Sequence, residues 1–208
     1  MNPDLFVTGT DTGVGKTLLS ALLVAALSRK YWKPIQTGAC EGTDRQAVIR
    51  WAAITADDAY PETYLFDPPV SPHLAAEQQG IVIDLQRIRR PASVDPMVIE
   101  GAGGVFVPIN ESAFMLDLMR RLEAPVIIAC RTALGTINHT LLTLSAIRQA
   151  KLTLRGVVMI GRENQENRLA IERYGDVPVI GWIPRLDKID RHILQSVFEN
   201  RFDKNAFL

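Results

Sequence analysis

The chain has 208 residues, with 23 Lys plus Arg against 23 Asp plus Glu and a formal net charge of zero. That length suffices for one α/β domain with a full core, and the balanced charge argues against nucleic acid as the main partner. No apolar run reaches the length of a membrane span and no basic, apolar, cleavable leader is visible, so the expectation is a cytoplasmic protein with no membrane partner.

Residues 5–7, Leu-Phe-Val, read as a buried strand, and the apolar run 18–27 is too long for a strand and rich in helix formers. Between them stands Gly9-Thr10-Asp11-Thr12-Gly13-Val14-Gly15-Lys16-Thr17. Strand, small-residue loop, Gly-Lys-Thr and helix form the context that a phosphate-binding loop requires. Its amides converge on phosphate oxygens, and the helix start adds positive partial charge. Lys16 would neutralise the outer phosphates, and the Thr17 hydroxyl would hold magnesium. One detail departs from the usual spacing: Thr10 stands where the first Gly belongs, and Gly9 comes one residue early.

A short strand-like segment follows at 31–35, with Lys33-Pro34-Ile35-Gln36-Thr37-Gly38 at its end. A helix is expected over 44–54. Pro61, Pro68, Pro69 and Pro72 break 60–79 into loop and short helix. Residues 97–100 form a compact strand running into Gly101-Ala102-Gly103-Gly104. Then come a helix at 114–122, a strand at 126–130, a helix at 137–150, and strands at 156–160 and 177–181 flanking a helix at 166–174. Apolar strands alternating with helices predict a parallel sheet covered on both faces. Right-handed crossovers bring the loops after the strands to one edge. With no linker, repeat or low-complexity tract, residues 1–208 read as a single domain.

Several residues on that edge carry chemistry, each with a plainer reading beside it. Glu100 closes its strand, where phosphate-loop enzymes place an acidic residue that contacts magnesium or its water; it also fits an exposed loop carboxylate. Lys33 would reach the same phosphates from the opposite side, or be a solvated surface lysine. Asp44 would serve the site or cap its helix. Ser71-Pro72-His73 forms a proline-fixed turn, and its lone His is either a substrate contact or structural. Leu134-Gly135-Thr136-Ile137-Asn138-His139 opens a long helix whose amides would take a carboxylate, or which Thr136 simply caps. Cys130 ends an apolar run and reads as core; Cys40 lies in a polar loop as a bystander. No His or Cys spacing suggests zinc, and no Ser-His-Asp signature suggests a nucleophile.

Together these segments resemble the dethiobiotin synthetases, which close the ureido ring in biotin synthesis. The matching motifs are Thr8-Gly9 through Lys16-Thr17, Lys33-Pro34 with Thr37-Gly38, Thr43-Asp44, Ser71-Pro72-His73, Glu100-Gly101-Ala102-Gly103-Gly104, and Leu134-Gly135 with Ile137-Asn138-His139. The early Gly of the loop is itself a feature of that family. The resemblance implies a single-domain three-layer P-loop NTPase fold with a mostly parallel sheet. It implies ATP as co-substrate, bound by Thr12, Gly13, Val14, Gly15, Lys16, Thr17 and Leu18, with Asp44, Glu100, Gly101, Ala102 and Gly103 alongside. Mg2+ would be held by Thr17, Asp44 and Glu100. Lys33 and Lys16 would be the catalytic lysines. Thr37, Ser71, Pro72 and His73 would contact 7,8-diaminononanoate, which is joined to CO2 or bicarbonate. A homodimer is implied, with Leu134, Gly135, Ile137 and Asn138 receiving the distant carboxylate from the neighbouring subunit.

One segment departs from the family pattern. Where the family often has Asn then Asp to read adenine, this chain has Met159-Ile160-Gly161-Arg162. The base would rest instead against Ile183, Pro184 and Arg185, and tolerance of other nucleoside triphosphates is expected. Two other classes share the fold. Partitioning ATPases carry an additional Lys near the start of the loop, and residues 9–15 contain none. Ligases that amidate a cobalamin precursor usually carry a further glutamine-hydrolysing domain, for which this chain is short. The terminal residues 198–208 mix both charge signs and make a poor membrane helix.

Overall fold

The computed structural model describes residues 3–207. In chain order its elements are β1 (Leu5–Gly9), α1 (Lys16–Leu27), β2 (Lys30–Trp32), β3 (Ile35–Gln36), α2 (Asp44–Ala52), β4 (Ala59–Tyr60), β5 (Tyr64–Leu65), α3 (Pro72–Gln78), β6 (Met97–Gly104), α4 (Met115–Leu122), β7 (Val126–Arg131), α5 (Thr136–Gln149), β8 (Leu154–Ile160), α6 (Gln165–Gly175), β9 (Val179–Ile183) and α7 (Arg191–Arg201). Seven strands make one sheet in the order β4-β2-β6-β1-β7-β8-β9, and each pairing in it is parallel.

Alternation along β1 divides the core. Leu5 and Val7 face a layer built by Leu19, Leu22 and Leu23 of α1, Val48 of α2, and Leu194 and Phe198 of α7. Phe6 faces the opposite layer, with Met115 and Leu118 of α4, Ile147 of α5 and Ile171 of α6. Both faces are covered, which is why the inner strands are continuously apolar. In chain order β1 leads to β2 on one side, and β6 leads across β1 to β7 on the other. The loop after β1 therefore lies at the reversal of strand order, where open α/β sheets bind ligands.

The structure corrects several sequence expectations. The segment 31–35 is not one strand. Residues 30–32 belong to the large sheet, whereas Ile35 and Gln36 pair with Tyr64 and Leu65 in a separate two-stranded sheet. Lys33-Pro34 is the break, and Pro34 has no N–H to continue the ladder. Residues 60–79, expected as loop and short helix, hold β5 as well as α3. The last sheet strand is Val179–Ile183, two residues later than expected. The end of the chain, read only for its charges, contains α7, with Asp190 accepting from the Ile193 amide at 3.0 Å. The strand at 97–100 continues to Gly104, with Gly9 opposite Gly104 after a register shift in β1.

Candidate active site

The loop after β1 turns back over its own start. A Cβ at Gly9 would stand 2.8 Å from Val14 Cγ2, 2.9 Å from the Asp11 carbonyl oxygen and 3.1 Å from Lys16 Nζ. The loop therefore needs glycine one position earlier than the usual spacing, whereas the Thr10 amide simply continues the sheet toward the Ala129 carbonyl at 3.0 Å. α1 begins at Lys16 behind Gly15, with no side chain capping its first amides, so they are free for an anion. Lys16 is buried, and its Nζ donates to the Asp11 carbonyl at 2.9 Å. Burial lowers its pKa to about 8, although Glu100 pulls in the opposite direction.

Thr17, one residue into the helix, meets two carboxylates. Its Oγ1 lies 2.9 Å from Asp44 Oδ1 and 2.9 Å from Glu100 Oε1. Glu100 does not close a strand. It sits inside β6 at 1% exposure, so the plain reading of an exposed loop carboxylate fails. Tyr31 of β2 donates its hydroxyl to Glu100 Oε2 at 3.0 Å. Burial first, then the Glu100 charge, hold the Tyr31 phenol well above its ordinary pKa, so it stays a donor. Asp44 does not cap α2. Thr43 does, in a reciprocal capping box with Gln46, and the Asp44 amide donates to Gln36 Oε1 at 3.1 Å. The Asp44 carboxylate is thereby left for the site.

Lys33 lies between these carboxylates, pairing with Asp44 and, at 3.3 Å, with Glu100 Oε1. It is 5% exposed, not a solvated lysine. Burial pulls its pKa down, but Glu100 and Asp44 outweigh that and hold it above the usual value. Burial likewise pushes Asp44 up, while Lys33 outweighs it and leaves the carboxyl below its usual value.

A cavity of about 680 Å³ opens over this cluster. Thr12, Gly13, Gly15, Lys16, Thr17, Leu18, Lys33, Asp44, Glu100, Ala102 and Gly103 line it, and Thr37, Ser71 and Pro72 complete its wall. Strand alternation explains why Glu100 and Ala102 line the cavity and Gly101 does not: Gly101 is buried with Phe6 close by. Val14 is buried in the core under the loop. His73 faces a neighbouring cavity beside Ile83 and Asn110, and its Nδ1 lies 3.0 Å from Ser71 Oγ. Leu134, Gly135, Ile137 and Asn138 lie outside the 680 Å³ cavity, with Leu134 fully exposed. Thr136 does not cap α5. The cap is Gly135, and the Thr136 hydroxyl donates to the Arg131 carbonyl.

In the segment 159–162, which lacks the family's base-reading Asn and Asp, the backbone of Gly161 is engaged. Its N–H donates to the Ile183 carbonyl at 2.9 Å and its carbonyl accepts from Trp182 Nε1 at 2.8 Å. A Cβ there would lie 2.6 Å from Thr132 Oγ1. Ile183 points into the core, Pro184 is half-buried, Arg185 is exposed, and none of the three lines the 680 Å³ cavity.

Three oxygens on one side of the phosphate loop form a donor set suited to a hard divalent cation. Thr17 has one hydroxyl proton for two carboxylate oxygens, so a cation among the three would relieve an unfavourable contact. Among the described residues no group of three or more His, Cys, Asp or Glu is placed to hold a metal alone. Magnesium is held in just this way, by one or two carboxylates together with phosphate oxygens.

A family model described as an AAA domain matches residues 3–192. An ATP-dependent dethiobiotin synthetase of Rhodopseudomonas palustris is 44% identical over 208 residues, covering 100% of this chain and 98% of the relative. The chain belongs to the dethiobiotin synthetase family. Another member, from Paramagnetospirillum magneticum, is 49% identical over 185 residues, 89% of each chain. Among solved structures, a ParA family ATPase from Chlorobium tepidum matches with TM-score 0.58 at 13% identity, covering 96% of this chain and 92% of its own. A cobyrinic acid a,c-diamide synthase from Mycobacterium smegmatis, with bound ADP and magnesium, matches with TM-score 0.54 at 18% identity over 94% and 92%. The two classes set aside on sequence grounds thus share the fold with the family, and at these identities the fold alone. Sequence reasoning missed Tyr31 and Gln36, which fix Glu100 and Asp44.

Proposed function

We propose that this chain joins 7,8-diaminononanoate and CO2 in an ATP-dependent ring closure, giving dethiobiotin, ADP and phosphate. The observation that carries the reading is Lys33. It is a buried ammonium held between Asp44 and Glu100, beside the phosphate loop and facing the Thr37–Ser71 wall. In this reaction one substrate amine adds to CO2 and becomes a carbamate. A carbamate oxygen then attacks the γ-phosphorus, and ADP leaves. The second amine attacks the carbonyl carbon of the mixed anhydride, expels phosphate and closes the cyclic urea.

The difficulty is electrostatic, because an anionic carbamate must approach a polyanionic triphosphate. Lys33, kept protonated by its carboxylates, offers charge and not a base. Lys16 has only to exchange the Asp11 carbonyl for phosphate oxygens. Thr37, Ser71 and Pro72 would position the diamine. No covalent nucleophile is needed, since positioning and charge neutralisation suffice. Magnesium, when bound to Thr17, Asp44 and Glu100, supplies further neutralisation of the phosphate charge.

The spent backbone of Gly161 supports loose selection of the base, since a site without free directional groups discriminates poorly. The exposed Leu134, Gly135 and Asn138 suit a role across a dimer interface. A cytoplasmic homodimer of single-domain chains is part of the proposal. Incubation with 7,8-diaminononanoate, bicarbonate, magnesium and ATP, read by mass spectrometry, tests it. Dethiobiotin that depends on both ATP and bicarbonate is expected. ADP formed regardless of the diamine, with no dethiobiotin, would overturn the reading.

A further inference from the structure

We infer that Arg131 is a positioning residue that aims the amides of the phosphate loop; the inference rests on the reading of that loop as the ATP site. Arg131 is the last residue of β7, the strand beside β1. Its Nη2 donates to the Thr12 carbonyl at 3.1 Å. The same nitrogen lies 3.2 Å from where a Cβ on Gly13 would be, so the guanidinium rests against the loop where that loop has no side chain.

The contact fixes a direction as well as a distance. The peptide unit is planar and trans, so its carbonyl and the following N–H point to opposite sides. Holding the Thr12 carbonyl toward Arg131 therefore turns the Gly13 N–H the other way. Two consecutive carbonyls, Asp11 and Thr12, are each held by a cation, the first by Lys16 and the second by Arg131. Lys16 must release Asp11 when it turns to a phosphate. Arg131 has no such second duty. It does not line the cavity over Lys33, Asp44 and Glu100, so it acts through the loop, and it continues to hold the loop while Lys16 changes partners. A guanidinium suits this task because it stays charged and its donors have fixed directions.

The test is Arg131→Met in the full-length chain, measuring ATP affinity with a fluorescent ATP analogue, steady-state KM for ATP, kcat, and melting temperature without nucleotide. The expected result is a Kd and KM for ATP raised about 10-fold, as for loss of a charge-assisted hydrogen bond. kcat should hold within about 2-fold and the melting temperature should not move, because the side chain is exposed. The KM ratio should persist at about 0.5 M salt, where long-range charge is screened. An unchanged KM would overturn the inference, as would a kcat that falls at constant KM. A ratio that collapses to one at high salt would do so too, since the effect would then be general charge. Wild-type protein that fails to bind ATP would instead take down the reading of the loop itself.

Discussion

The two ends of the proposed nucleotide site are built on opposite plans. At the phosphate end, Thr17, Lys33, Asp44 and Glu100 are buried or half-buried and already engaged with one another, and Lys16 is buried with its ammonium on the Asp11 carbonyl. At the base end, Gly161 has no side chain and its N–H is spent, and Ile183 points into the core. The first end is preorganised charge, which needs little rearrangement when a triphosphate arrives. The second offers a surface without directional readers. On the proposed reading, binding energy and chemistry would be concentrated where every nucleoside triphosphate is the same, and little invested where they differ.

The sharpest way to break this contrast is Lys33→Ala. Turnover should fall roughly 10²- to 10³-fold, the usual effect of removing one preorganised electrostatic group. Steady-state kinetics that leave kcat unchanged would remove Lys33 from the mechanism. Next is Lys16→Met, which should weaken ATP binding roughly 10²-fold by calorimetry. The same change should raise the melting temperature of the free protein, because it deletes a charge that burial disfavours.

Lys16 also predicts a pH dependence. Its value is about 8 in the folded chain and 10.5 in the unfolded one. Between these the unfolded chain holds a proton that the native state lacks, so the stability of the free protein rises with pH across that window. Below it both states are protonated and the slope vanishes. Urea titrations from pH 7 to 10 should show wild-type stability gaining on that of Lys16→Met as pH rises, the buried Cys130 thiol, which burial pushes up, lowering both alike, while ATP affinity weakens above about pH 8.

Smaller effects sharpen the picture. Tyr31→Phe removes the donor that fixes Glu100 and should lower turnover about 10-fold, the scale of groups that orient a ligand. The smallest difference is expected at the other end. CTP, GTP and ATP should support turnover with kcat/KM within about 10-fold of one another. Strict ATP dependence in that comparison would mean that the base is read by groups other than those around Gly161.

The strand-loop-helix at the start of the chain was legible because its apolar runs differ in length and enclose small residues. So was the alternation that makes a parallel sheet. The small sheet was not, since Ile35–Gln36 and Tyr64–Leu65 are too short to show a period. Glu100 was singled out but placed at a strand end, because the following glycines resemble a loop. In the sheet β6 runs on through them to Gly104, which pairs with Gly9 after a register shift. Tyr31, an aromatic residue in an apolar strand, reads as core, and nothing local to it announces a carboxylate 69 residues away. Thr43 and Asp44 are adjacent helix-start residues, and only the observed capping box shows which one is free. His73 matched the family motif, yet its ring faces a different cavity from the one lined by Ser71 and Pro72.

The break at Lys33-Pro34 separates two kinds of inheritance. The lysine amine is tied to carboxylates of the large sheet and α2, whereas Ile35 and Gln36 belong to the small sheet that leads to Thr37 and its wall. The proposed triphosphate residues thus stand on the large sheet and its helices, and the wall at Thr37 hangs from a separate two-stranded sheet. Gln36 is a joint between them: it belongs to the small sheet yet accepts from the Asp44 amide, so a change in that sheet reaches the buried charges through that side chain.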